Sequence, residues 1–99
     1  MTFDEALLLK LGEGGVEPGS LSKVWSDVAE LFAAFDAIGR VCSTAIVKVD
    51  GVREKNVYTV LLSGGRLGEH VFHKDGADLR ALLVDVIEFF IEHAAVASR

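Results

Sequence analysis

Cysteine is nearly absent, with Cys42 the only one, so no internal disulfide can staple the chain, and the composition suits a reducing compartment such as the cytoplasm. Proline is equally scarce, with Pro18 the only one, while 51% of residues are hydrophobic and 25% charged. That balance excludes a disordered chain, which needs low hydrophobicity and high charge. Long apolar runs are missing too. Asp85, Glu88 and Glu92 interrupt the best candidate before it reaches the ~18 residues of a membrane span. The N-terminal MTFDEALLLKLGEGG places acids where a secretory signal needs lysine or arginine. The expectation is a single globular cytoplasmic domain over residues 1–99, with a flexible loop at about 12–20.

Signatures of chemistry are also lacking. A zinc site needs three or four convergent ligands, yet His70 and His73 fall on opposite faces of an expected strand, His93 sits beside the apolar arc of a helix, and Cys42 is remote. Cys42 lies in an apolar strand without an activating motif and reads as a buried, inert thiol. The glycine-rich GEGGVEPGS lacks the Walker spacing, follows no strand and carries Glu13 and Glu17, which repel phosphate. No triad order or cofactor fingerprint is present. No catalytic residue, metal or cofactor is therefore expected.

What is present is a divided charge. Residues 1–39 carry seven acids against Lys10 and Lys23, and residues 75–99 carry five against Arg80 and Arg99. Residues 40–74 carry six bases against Asp50, Glu54 and Glu69. The ends are acidic and the middle basic, a split that bears on partners and solubility.

The same division follows the periodicity. Thr2 and Glu5 form a capping-box pattern before a short helix from Phe3 to about Leu11. Its apolar residues surround most of the axis, so it should be covered on two sides or lie across a neighbour. A second helix is expected from Ser20 or Ser22 to near Gly39. Leu21, Val24, Trp25, Val28, Leu31, Phe32, Phe35 and Ile38 form its apolar stripe, with Lys23, Ser26, Asp27 and Glu30 facing water. From Val41 the period shortens. VCSTAIVKV, VYTVLLS and LGEHVFH read as three strands, with SGGR a turn and Gly68 a bulge. Asp50-Gly51 is a tight-hairpin signal, but that register sets Lys48 against Arg53 and Ile46 against Lys55. A wider loop that keeps DGVREKN outside the sheet and sets Val49 opposite Val57 pairs apolar with apolar.

The last helix has the strongest signal. Asp75 is expected to cap it, with Asp78 three residues on, and Leu79, Leu82, Leu83, Val86, Phe89, Phe90 and His93 fall on one arc. Asp78, Asp85, Glu88 and Glu92 cluster on another. Val84, Ile87 and Ile91 form a further apolar flank, to be covered by the N-terminal helix or used in self-association as a homodimer contact. The fold class is α+β: a three-stranded antiparallel meander packed by two long helices and a short N-terminal one, in the order α-α-β-β-β-α.

The order helix, three strands, helix over residues 20–98 resembles the architecture of the double-stranded RNA-binding domain. That resemblance implies minor-groove contact through lysines at the start of the last helix. KDGADLR stands there, with Asp75 and Asp78 and only Lys74, which leaves nucleic-acid or small-ligand binding to rest on the basic middle segment alone. A small, acidic, cysteine-poor domain without a catalytic constellation also resembles the immunity proteins that neutralise nuclease toxins in bacterial competition. What this implies is an antitoxin-type inhibitor that occludes the basic cleft of a cognate toxin domain. Asp27, Glu30, Asp78, Asp85, Glu88 and Glu92 are the residues that would meet such a partner.

Overall fold

The computed structural model describes residues 5–16 and 28–95. Three helices, α1 (Glu5–Glu13), α2 (Ala29–Val41) and α3 (Leu79–His93), accompany three strands, β1 (Thr44–Val49), β2 (Tyr58–Ser63) and β3 (Val71–Gly76). The sheet is an antiparallel meander ordered β1-β2-β3, so the class and element order are as expected. The expected caps Ser20 and Ser22, and Leu21, Val24, Trp25 and Asp27 with them, lie outside the described residues.

The sheet places one face on the helices. Strand alternation turns Ala45, Val47, Tyr58, Val60, Leu62 and Phe72 toward α2 and α3, where Val60 and Leu62 are fully buried. From above, Val28 and Phe35 descend, and α3 contributes Leu79, Leu82, Leu83 and Val86. Each fully buried leucine or valine contributes roughly 1.5–3 kcal/mol relative to exposure. The α3 arc is thus core through Val86, with Phe89, Phe90 and His93 half-buried at its far end.

Four expectations about boundaries need correction. Gly39 does not end α2, which runs on to Val41; a Cβ at Gly39 would lie 2.9 Å from the Ala45 Cβ. The glycine serves close approach of α2 to β1 rather than termination. The wide loop is present, but Val49 pairs with Tyr58, one residue beyond Val57. The Asp50 N–H reaches the Val57 carbonyl at 2.7 Å and adds a further rung, and this register sends Val60 and Leu62, not Thr59 and Leu61, into the core. β3 does not begin at Leu67. Gly65–Leu67 is a 3-10 turn that drops Leu67 into the core, and Gly68, at φ +59°, closes that turn instead of forming a bulge. Finally, Asp75 is a strand residue. Asp78 caps α3, its Oδ1 accepting from the Ala81 N–H at 3.2 Å.

Helix α1 also departs from expectation. Leu7 and Leu9 are exposed, so the two-sided cover its composition called for is not realised among the described residues. Nor does α1 shield the α3 flank, because Ile91 remains 74% exposed while Val84 and Ile87 are half-buried.

Candidate protein-interaction surface

The four acids on α3 separate into two pairs with different occupations. Asp78 is engaged as the helix cap. Asp85 binds Lys74, which β3 projects from the helix-facing side of the sheet, with Nζ 2.6 Å from Oδ2. Glu88 and Glu92 are left on the solvent side, four residues apart and therefore one above the other on the helix. Glu92 Oε2 lies 3.9 Å from His93 Nε2, and among the described residues neither glutamate meets a lysine or arginine. Ile91, three residues beyond Glu88, is exposed to one side of them. The outcome is an exposed apolar side chain at the border of a two-carboxylate stripe, with Val84 half-buried one turn N-terminal to Glu88. Glu30, exposed in the first turn of α2, sits on a separate helix, and Asp27 lies outside the described residues.

The basic middle segment is largely consumed by internal pairs. Arg40 meets Asp36 one turn earlier on α2, at 3.1 Å. Lys48 lies 3.8 Å from Asp50, and Arg53 reaches Asp50 at 3.4 Å and Asp75 at 3.3 Å. Lys74 is held by Asp85. Four of the six bases therefore face a carboxylate, and the positive charge visible along the sequence does not become a basic track across the surface.

The open face of the sheet carries the largest polar network. The loop between β1 and β2 is shaped by Asp50, whose Oδ1 accepts from the Val52 N–H at 3.0 Å, and by Asn56 in the left-handed region at φ +51°. That folds Arg53 back over the sheet, where its Nη1 donates to the Asn56 carbonyl at 3.1 Å and to Thr59 Oγ1 at 3.3 Å. Thr59 in turn donates to Asp75 Oδ1 at 2.6 Å. The Thr59 bond, reinforced by Arg53, holds the Asp75 carboxyl below its ordinary range. Arg53 is paired with both Asp50 and Asp75, so the network binds the loop to the sheet.

Two histidines from different elements, His70 and His93, are brought together. His70 precedes β3 and its ring centroid lies 4.5 Å from that of His93, which also contacts the Phe89 ring at 4.4 Å. The residues that join them are far apart in the chain, and no local spacing signals the contact. Among the described residues, no group of three or more His, Cys, Asp or Glu is placed to hold a metal ion. Cys42 is half-buried rather than fully buried, and burial pushes its thiol up, which disfavours the nucleophilic thiolate.

No helix among the described residues is long and apolar enough to cross a membrane. Comparisons with protein-family models, curated proteins and solved structures found no match, so the surface is read from its own chemistry.

Proposed function

We propose that this chain is a protein-binding module that docks a basic partner on the outer face of α3, and that it acts as an immunity-type inhibitor, occluding a toxin's substrate cleft. The observation that carries the reading is Ile91, 74% exposed at the edge of the stripe that Glu88 and Glu92 form on the same helix. Interfaces are commonly built this way, with an apolar anchor that desolvates and a charged rim that steers the encounter. Occlusion requires shape and charge and no catalytic group.

The same patch suits a basic partner better than a second copy of itself. A two-fold contact centred on Ile91 would bring Glu88, its neighbour on the helix surface, close to Glu88 of the other chain, and like charges at close range oppose such pairing. A nucleic-acid role for the middle segment loses support for a different reason: Arg40, Lys48, Arg53 and Lys74 each face a carboxylate.

The test is to produce the chain together with the product of the reading frame immediately upstream of its gene. Tight co-purification and relief of that product's toxicity are expected. Ile91→Asp should weaken the complex about tenfold or more, the scale of a central anchor. Glu88→Lys with Glu92→Lys should slow association most strongly at low salt. Failure of the neighbour's product to bind or be inhibited, or affinities that ignore all three substitutions, would overturn the reading.

A further inference from the structure

The two edges of the sheet are unequal. β3 presents His73, Lys74 and Asp75 in succession, the kind of charge that discourages strand addition, whereas β1 reads TAIVKV with Lys48 its single charge. Among the described residues β1 has no neighbour on its outer side. The ladder also fixes which backbone groups are free. Asp50 bonds Val57, so with the observed register Lys48, Ile46 and Thr44 bond β2, while Ala45, Val47 and Val49 point their N–H and C=O groups outward. Beside this edge, a groove of about 450 Å³ opens between α2 and β1, lined by Phe32, Phe35, Gly39, Ala45 and Val47. Val49, 58% exposed, projects from the same edge on the same face.

We propose that β1 is a homodimer interface, at which a second copy adds its own β1 antiparallel and the two sheets become one of six strands. The pairing that satisfies the outward groups places Val47 opposite Val47 of the other copy and Ala45 opposite its Val49. It makes two bonds at the central pair and two at each flanking pair. Val49 of each copy then falls beside Ala45 of the other, at the mouth of the groove. Knob and hole lie along one edge of the same chain, which is the self-complementarity a two-fold contact demands. On the open face Ile46 meets the stem of the opposing Lys48, and Thr44 meets Asp50. A slip of two residues one way sets Lys48 against Lys48, and the other way leaves Val49 unpaired, so the charges select the register. Asp36 and Arg40, one acid and one base on the rim of each groove, let the two rims approach without net repulsion. This contact is separate from the α3 patch and leaves Glu88, Ile91 and Glu92 free.

Light scattering and backbone hydrogen exchange test the proposal. From micromolar to sub-millimolar protein, the mass should rise from monomer toward dimer. In the same range the Ala45, Val47 and Val49 amides should slow in exchange, while those of Thr44, Ile46 and Lys48, bonded to β2 in either state, should not change. Val49→Asp should hold the chain monomeric with an unaltered far-ultraviolet spectrum, and Glu88→Lys should leave the dimer intact. A monomer throughout, or a dimer in which those three amides do not slow, overturns the proposal. So does a dimer that Ile91→Asp dissociates and Val49→Asp does not. The exchange measurement needs no variant and decides the matter even if Val49→Asp does not fold.

Discussion

Thr59 on β2 donates its hydroxyl to Asp75 on β3 at 2.6 Å, and Arg53 reaches over from the β1–β2 loop to contact both. Thr59 is 8% exposed although it lies on the open face of the sheet, because the loop folds over it. The network therefore ties a long hairpin connection to the far edge strand, a coupling between residues 22 positions apart in Arg53 and Asp75.

A pH dependence follows from the depressed Asp75 carboxyl. Its folded value lies below the ordinary 3.8, so the ionised form is favoured by folding. That contribution is fully present above the unfolded value and is lost as pH falls through the folded one. Asp75→Asn retains an acceptor for Thr59 but removes the charge that Arg53 meets. The variant should be less stable than the parent at neutral pH, and the gap should close below the ordinary carboxylate range. Denaturant midpoints measured across the acid limb check this; a gap that persists unchanged at low pH would contradict it.

The two aspartates at the β3–α3 junction should behave differently. Asp78→Ala removes the acceptor of the Ala81 N–H and is expected to cost about 1 kcal/mol, the usual size of an N-cap loss. Asp78→Ser or Asp78→Asn should restore most of it. No such rescue applies at Asp75, where serine is too short to span from β3 to Arg53. Thermal melts of these variants separate a capping role from a cross-strand one.

Much of the architecture was legible because its signals are local. The α3 arc appears as a three- and four-residue recurrence, and Leu79 to Val86 is buried as that recurrence implies. The errors arise where two local choices were equivalent and distant contacts decided. Asp75 and Asp78 are equally competent caps, and only the pairing of Asp75 with Thr59 assigns the first to the sheet. Val57 and Tyr58 are both apolar, and the burial of Val60 and Leu62 chooses between registers. The candidate surface shows the same limit. A helical wheel places Asp85, Glu88 and Glu92 on one stripe and Ile91 on the flank beside it, but it cannot show that Lys74, on a strand, neutralises the first of the three acids.

Gly65 and Gly68 allow backbone strain to be separated from collision. Both have positive φ, +56° and +59°. A Cβ on Gly68 meets nothing within 4 Å, whereas one on Gly65 would lie 2.4 Å from the Val41 carbonyl oxygen and 2.6 Å from the Cys42 Cα. Gly68→Ala should cost about 1–2 kcal/mol, the penalty of a left-handed residue with a side chain. Gly65→Ala should cost about 1–3 kcal/mol more, because backbone must move to admit the methyl. Gly51→Ala, with open space and an unstrained backbone, serves as the neutral control. Equal losses at Gly65 and Gly68 would mean that the turn relaxes away from Cys42.

Within α3, core and surface should separate in a single set of measurements. Leu83 is fully buried, so Leu83→Ala deletes packed atoms and leaves a cavity, with an expected loss of about 2–5 kcal/mol. For a domain of this size that corresponds to a fall in melting temperature on the order of 10 °C or more. Ile91 stands 74% exposed two turns further on, and Ile91→Asp should change stability by no more than about 0.5 kcal/mol, the range of an exposed site. The partner assay should rank the two in reverse. At a temperature where both variants are folded, Leu83→Ala should retain the partner's affinity and Ile91→Asp should lose it. If Ile91→Asp instead melts the domain, the flank is part of the core and the α3 face cannot serve as a free docking surface.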